Sequence, residues 1–174
     1  LMFLRRRSLA AIAEARQLAE DRAITDTLTG LLNRTGVKAM IPGLWATANR
    51  LSQPIVVAFV DVDGLKAAND THGHDFGDDV IKAVADALRS TMRQGDILAR
   101  WGGDEFIAIG MGIEPDAATL QDRLQARLSA SGIDPAMWPG RVSVGTAHAM
   151  PQTATIDTLI SEADARMYQA RRAR

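Results

Sequence analysis

The chain has 174 residues, of which 47% are hydrophobic and 24% charged, and its formal net charge is −1. This length suffices for one domain with a sizeable core, and the near-neutral charge excludes a basic field for nucleic acid over the whole surface. The chain contains no cysteine, which excludes disulfides and thiolate zinc sites. No apolar run reaches the length of about 18 residues that a membrane-spanning helix needs.

Residues 1–24 are predicted to form a helical linker. Residues 8–23 are rich in Ala, Leu, Glu and Arg, which are good helix formers. Before them, LMFLRRR places apolar residues ahead of three arginines, as at the cytoplasmic end of a membrane helix. A helix start with a solvated basic face explains the same residues. We therefore expect a cytoplasmic domain that follows a sensor or an inner-membrane segment upstream.

The segment DTLTGLLNR, residues 26–34, ends that helix with Thr, Gly and Asn. A second helix is predicted to follow, interrupted near Pro42 and Gly43. The next apolar run, PIVVAFVDVD, predicts a buried strand over Ile55–Val60, because it is short, continuous and rich in β-branched residues. Asp61 follows at the carboxyl end of this strand.

The middle of the chain alternates between helix and strand. Residues 64–77, GLKAANDTHGHDFG, are predicted to form a short helix and then a loop. Apolar residues at helical spacing then predict a helix over Gly77–Met92. The runs DILARW and EFIAIG predict the two strands of a hairpin, joined by Gly102 and Gly103.

The C-terminal part continues this alternation. Helical spacing predicts one helix from Ala117 to Leu128 and a last helix from Ile156 to Met167, with the strand RVSVGTA between them. Alternation around one hairpin predicts the α/β (α+β) class, with a mixed central sheet flanked by helices. Residues 25–174 are predicted to form a single domain that follows the helical linker.

Carboxylates follow the buried strand and the hairpin turn. If the hairpin lies beside the strand, Asp61 and Asp104 converge, and such oxygen ligands suit Mg²⁺. A metal held there can position an attacking hydroxyl and neutralise a phosphate. Gly102 and Gly103 leave room for a nucleotide to approach the backbone. The alternative is that these glycines serve turn geometry alone and the acids are solvated.

Four motifs together resemble the GGDEF-domain diguanylate cyclase family. They are DTLTGLLNR, DVDGLKAANDTHGHDFGDD, GGDEF and ADARMYQARR, and they follow the family's order from Asp26 to the carboxyl terminus. The resemblance implies a fold similar to the palm of polymerases and to class III nucleotide cyclases. It also implies that two GTP molecules are joined into cyclic di-GMP across a homodimer, with DTLTGLLNR coupling the lead-in helix to the core.

By this resemblance, the metal ligands are the carboxylates of Asp61 and Asp104 and the carbonyl of Val62. They would hold Mg²⁺ or Mn²⁺, two ions per active site. Asp61, Asp104 and Glu105 are the catalytic residues that the resemblance implies. Glu105 would assist at the metals or in activating the ribose 3′-hydroxyl, and which acid is the base stays open.

The resemblance also implies a nucleotide site. Asn69 and Asp78 match the positions that read the guanine edge, and an amide and a carboxylate can satisfy its donors and acceptors. A helix-end Asn and an N-terminal helix acid are the alternatives for these two residues. Lys66 and His74 match positions near the nucleotide, although a structural loop histidine would explain His74. Arg171 stands where the family usually has Lys, and its planar fork can still bind a phosphate.

The motif RQGD, which spans Arg93 to Asp96, matches the family's inhibitory product site. Arg93 could bind a guanine edge or phosphate through two hydrogen bonds, Asp96 could accept from guanine nitrogens, and Arg123 could add a contact. The alternative for RQGD is an ordinary helix exit.

The function predicted from these motifs is that of a metal-dependent diguanylate cyclase inhibited by its product. A non-catalytic module that binds GTP or cyclic di-GMP for signalling is the rival from another class. A different nucleotidyl cyclase on the same fold is the third possibility, and Asn69 and Asp78 favour guanine over it.

Overall fold

The structure is a computed structural model that describes residue 19 and residues 23–112 and 116–173. Ala19, Ala23 and Ile24 are helical. The rest of the predicted linker, with the three arginines and the proposed membrane end, lies outside the described residues. None of the helices described is both long and apolar enough to cross a membrane.

From Arg34 onward, the described elements are five helices and four strands. They are α1 (Arg34–Leu51), β1 (Ile55–Val62), α2 (Leu65–His72), α3 (His74–Thr91), β2 (Ile97–Arg100), β3 (Glu105–Met111), α4 (Ala117–Ser129), β4 (Val142–Ala149) and α5 (Ile156–Arg172). The predicted α/β class, with a central sheet flanked by helices, is confirmed.

The four strands form one sheet in the order β2-β3-β1-β4. All three pairings are antiparallel, which corrects the predicted mixed pairing. The helices between β1 and β2 suggested parallel neighbours, but β3 lies between these two strands and separates them. Parallel pairing within the described residues is limited to an isolated bridge between Leu32 and Ala99.

Strand β1 is buried along its whole length because helices cover both faces of the sheet. Val60 and Val62 belong to a core cluster that also contains residues of α3 and α4. Val57 and Phe59 belong to a second cluster, which includes residues of α1 and α5. Burial on both faces explains why the sequence of β1 is a continuous apolar run rather than an alternating one.

A glycine on β4 lets α5 lie directly on the sheet. A Cβ at Gly145 would lie 2.1 Å from the Ala163 carbonyl oxygen and 2.2 Å from the Met167 nitrogen. Any side chain at this position would therefore push α5 away. This close packing places the C-terminal end of α5, with Arg171, at the carboxyl end of β1.

Two helices differ from the sequence prediction. Helix α1 continues through Pro42, whose missing N–H removes one hydrogen bond without ending the helix. No loop precedes α3. Gly73, with φ of 89°, is the single residue between α2 and α3, and its positive φ turns the chain sharply. His74 is therefore the first residue of a helix.

Candidate active site

The end of β1 and the hairpin turn lie side by side. Asp61 is paired with Glu105 on β3 and with Ser143 on β4. The Val62 amide donates to the Asp104 carbonyl at 3.0 Å. The structure thus brings the predicted catalytic acids and Val62 to one edge of the sheet.

Asp61 is the most buried of these acids, with 6% of its surface exposed. Burial raises its pKa to about 6, Arg171 opposes this rise, and the neighbouring carboxylates of Asp104, Asp63 and Glu105 add to it. Arg171 donates from Nη1 to Asp61 Oδ1 at 2.6 Å. A carboxylate in this state is readily neutralised by a cation or by a proton.

The Glu105 carboxylate packs closely against Gly102. A Cβ at Gly102 would lie 2.4 Å from Glu105 Oε2, whereas a Cβ at Gly103 would meet nothing within 4 Å. Burial raises the pKa of Glu105, the charges of Asp104 and Asp164 add to the rise, and Arg34 opposes it. A side chain at position 102 would therefore displace the Glu105 carboxylate.

The donor set fits a divalent cation that keeps water and shares substrate oxygens. In the part of the chain that the structure describes, no three His, Asp or Glu side chains form a closed metal site. Two carboxylates and a backbone carbonyl are instead what Mg²⁺ uses when substrate phosphates complete its coordination. Asp61, Asp104 and the Val62 carbonyl supply such a set.

A cavity of about 470 Å³ lies beside this edge. Its lining includes the predicted nucleotide residues Lys66, Asn69, His74 and Asp78, together with Asp104. The cavity therefore brings four of the five predicted substrate residues together with a predicted metal ligand. Arg171, the fifth, lies at the sheet edge and not in the cavity lining.

One residue of the cavity lining, Asn69, has a buried acceptor atom. Its Oδ1 atom is buried and makes no hydrogen bond. A Cβ at Gly77 would lie 1.7 Å from that oxygen, so glycine at the start of α3 makes room for the Asn69 amide. Because buried polar atoms are rarely left unpaired, this oxygen is a candidate acceptor for a donor on a ligand.

Sequence reasoning missed Asp63 and Ser143. The Asp63 carboxylate accepts from Ser143 Oγ at 2.8 and 3.0 Å, and its Oδ1 lies 3.5 Å from Arg171 Nε. The signal was available, because the second acid of DVD lies two residues after Asp61 and so points to the same side of the strand. A buried serine opposite Asp61 cannot be recognised before the register of β4 is known.

The turn DTLTGLLNR contacts the β2–β3 hairpin, a role for its side chains that sequence reasoning did not assign. Asp26 pairs with Arg100 Nη1 at 3.2 Å. Arg34 donates from Nε to the Trp101 carbonyl at 2.6 Å, and its guanidinium lies 4.7 Å from the centre of the Trp101 ring. These contacts join the DTLTGLLNR segment to Arg100 and Trp101, the two residues that lead into the GGDEF turn.

The predicted product site is only partly assembled. The Arg93 amide donates to Asp96 Oδ2 at 2.9 Å, and the Asp96 amide donates to the Arg93 carbonyl at 3.0 Å, so RQGD is a tight turn before β2. Burial raises the pKa of Asp96, although its bond from the Arg93 amide opposes this. Arg123 lines a separate cavity of about 560 Å³ with Ser90 and Thr91, and neither Arg93 nor Asp96 belongs to its lining.

Comparison with known proteins identifies similar sequences. The model of the diguanylate cyclase GGDEF domain matches residues 23–174. Diguanylate cyclase DgcP of Escherichia coli is 32% identical over 165 residues, which cover 92% of this chain and 48% of DgcP. Response regulator PleD of Caulobacter vibrioides is 33% identical over 154 residues, which cover 86% of this chain and 34% of PleD. The chain thus spans about half or less of the length of these two relatives.

Solved structures agree with this fold. Diguanylate cyclase SiaD from Pseudomonas aeruginosa, in complex with its activator SiaC, superposes with a TM-score of 0.75 at 28% identity, over 98% of this chain and 66% of that chain. The GGDEF domain of DgcB from Caulobacter crescentus, in complex with c-di-GMP, gives a TM-score of 0.73 at 28% identity, over 87% of this chain and 91% of that chain. Since the family model matches most of its residues, the chain belongs to the GGDEF-domain diguanylate cyclase family.

Proposed function

We propose that this domain condenses two GTP molecules into cyclic di-GMP and two pyrophosphates. The observation that carries the proposal is a single cavity lined by Lys66, Asn69, His74, Asp78 and Asp104. It extends from a buried, unpaired amide oxygen to a carboxylate of the sheet edge. This arrangement supports a site in which base recognition lies next to phosphate chemistry.

The inner end of the cavity suits guanine. Guanine presents N–H donors on the edge where adenine presents an acceptor. Asn69 Oδ1 and the Asp78 carboxylate are both acceptors, so guanine can pair with them. Adenine would leave one of them without a donor, and a site built to hydrogen-bond one base discriminates strongly against the other.

The outer end of the cavity suits the reacting phosphates. Asp61, Asp104 and the Val62 carbonyl would hold Mg²⁺ or Mn²⁺, with two ions per site, and the metal would neutralise charge on the α-phosphate. Lys66 and Arg171 supply positive charge for the triphosphate. Glu105 either adds a ligand or accepts the proton of the 3′-hydroxyl.

Catalysis requires two copies of the domain. Each described chain offers one nucleotide cavity and one acidic edge, whereas the reaction joins two nucleotides. In the proposed dimer, the 3′-hydroxyl of each GTP attacks the α-phosphate of the other. Because GTP is a cytoplasmic nucleotide, we place the domain in the cytoplasm.

The proposed product site comprises Arg93, Asp96 and Arg123. A related GGDEF domain, that of DgcB, has been solved in complex with c-di-GMP, which supports binding of this ligand by the fold. Arg93 and Arg123 are both exposed, and in this proposal both contact the same ligand. A charge-assisted hydrogen bond contributes about 1.5–3 kcal/mol, so Arg93→Ala should weaken cyclic di-GMP binding by roughly ten- to a hundredfold. Equal calorimetric affinity in both proteins would contradict this site.

Nucleotide selectivity tests the proposed function. We expect competition binding to show that wild type prefers GTP to ATP, and that Asp78→Asn loses most of this preference. Asp79→Asn is the matched control, because Asp79 is the next residue of α3 and pairs with Lys82 on the surface. Equal affinity of the wild type for ATP and GTP would refute the assignment.

A further inference from the structure

We infer that Asp63 is a positioning residue that holds the guanidinium of Arg171 ready for the phosphates of the substrate. This inference rests on the proposed function for the identity of the ligand. It concerns a carboxylate outside the predicted metal and nucleotide sets, two residues beyond Asp61.

Asp63 is fixed through both its backbone and its side chain. Its amide donates to the Arg141 carbonyl at 3.1 Å, and its carbonyl accepts from the buried Trp138 indole at 2.7 Å. Its carboxylate accepts from Ser143 Oγ, and Ser143 is fully buried. The carboxylate is therefore held in one place by the core of the domain.

Arg171 contacts two carboxylates and remains accessible. Its side chain is 43% exposed, with Nη1 2.6 Å from Asp61 Oδ1 and Nε 3.5 Å from Asp63 Oδ1. A guanidinium carries five N–H donors, so these two contacts leave several for another acceptor. An exposed ion pair contributes little by itself, but here one end of the guanidinium faces a carboxylate that also accepts from a buried serine.

The two carboxylates have different roles. A cation that binds Asp61 competes with Arg171 for the same carboxylate, whereas Asp63 is anchored by Ser143 and lies outside the predicted ligand set. Contact with Asp63 through Nε thus keeps Arg171 beside the site while its Nη groups turn to phosphate. A lysine has no branch equivalent to Nε, so this anchor is matched to the arginine that this chain carries at position 171.

The test measures phosphate-dependent affinity separately from base-dependent affinity. NMR titrations use guanosine and the α,β-methylene analogue of GTP, whose P–C–P linkage prevents release of pyrophosphate. We expect Asp63→Asn to weaken binding of the analogue about tenfold and to leave guanosine binding unchanged, since an Asn can still accept from Ser143. Arg171→Ala should behave alike, and the double variant should be no weaker than Arg171→Ala, because the two residues act as one unit.

Controls separate positioning from folding. Asp157→Asn, an exposed change at the opposite end of α5, should leave both affinities unchanged. If Asp63→Asn lowers the melting temperature markedly, Ser143→Ala is used in its place. Ser143→Ala should also weaken binding of the GTP analogue about tenfold. Combined with Arg171→Ala, it should cause no further loss of affinity.

Two results would overturn the inference. One is that Asp63→Asn and Ser143→Ala bind the analogue as tightly as the wild type does. The other is that the losses from Asp63→Asn and Arg171→Ala multiply in the double variant. If the wild type binds the ATP and GTP analogues with equal affinity, the proposed function is refuted instead. The effects of Asp63→Asn and Arg171→Ala on affinity can then still be compared with either analogue.

Discussion

At the scale of single residues, Asp61 is the buried acid of the sheet edge, and its pKa is raised to about 6. It is buried among three other carboxylates, and Arg171 compensates this only in part. A buried carboxylate whose pKa is raised is costly in its ionised form. Such a group is suited to binding a cation, because a bound cation offsets the free-energy cost of ionising the buried carboxylate.

The pH dependence of stability follows from this pKa. The ordinary value is 3.8, and burial raises it to about 6. Between these two values the folded state keeps a proton that the unfolded chain has released, so the free energy of unfolding falls as pH rises through this window. Without metal, Asp61→Asn should therefore raise the melting temperature by several degrees at about pH 8 and by little at about pH 4.

Calorimetric melting across this pH range, with chelator present, measures the difference between Asp61→Asn and wild type. Asp157→Asn, an exposed change, should show no comparable pH-dependent gain. A melting temperature lowered equally at both pH values would mean that the Arg171 contact outweighs the burial of Asp61.

At the scale of elements, the contact between α2 and α3 shapes the proposed guanine site. Gly77→Ala should displace the Asn69 amide, since the added Cβ would lie 1.7 Å from Oδ1. We expect GTP affinity to fall at least tenfold, as measured by calorimetry. Gly43→Ala is the matched control: Gly43 is also a glycine within a helix, and a Cβ there meets nothing within 4 Å. That change should keep GTP affinity and stabilise α1 slightly. Similar GTP affinity in both variants would contradict the placement of Asn69.

The elements also show what sequence alone can predict. Strand β1 and the hairpin were predictable because continuous apolar runs and glycine turns are local signals. The break at Gly73 was missed because two helices separated by one residue have the composition of a helix followed by a loop. Helix α1 continues through Pro42 because packing of the rest of the helix outweighs one lost hydrogen bond.

The candidate site was predictable to a similar degree. The sequence predicted that Asp61 and Asp104 converge if the hairpin lies beside the strand, and the register pairs Asp61 with Glu105, the residue after Asp104. The partners of Asp63 come from β4 and α5, distant in sequence, and no local pattern announces them. Arg34 was missed for the same reason, because its contact with Trp101 spans 67 residues. Contacts of this kind depend on strand order, which the alternation of helices and strands did not reveal.

At the scale of the whole molecule, one domain would bind one of the two GTP molecules that the proposed reaction joins. If two domains must meet, specific activity should rise with protein concentration until the dimer is fully populated. A dilution series, with oligomeric state followed by light scattering, measures this dependence. Constant specific activity from a monomer across the whole series would contradict the two-domain mechanism.

The most direct test of the central claim is the identity of the product. Incubated with GTP and Mg²⁺ or Mn²⁺, the wild-type domain should release cyclic di-GMP and pyrophosphate, identified by mass spectrometry. Asp104→Ala should lose about a thousandfold or more in rate, because a lost metal ligand forfeits several kcal/mol of charge stabilisation, while the surface change Asp79→Ala should keep the wild-type rate. GTP that is bound but recovered unchanged at every protein concentration would contradict the account and identify the domain as a binding module.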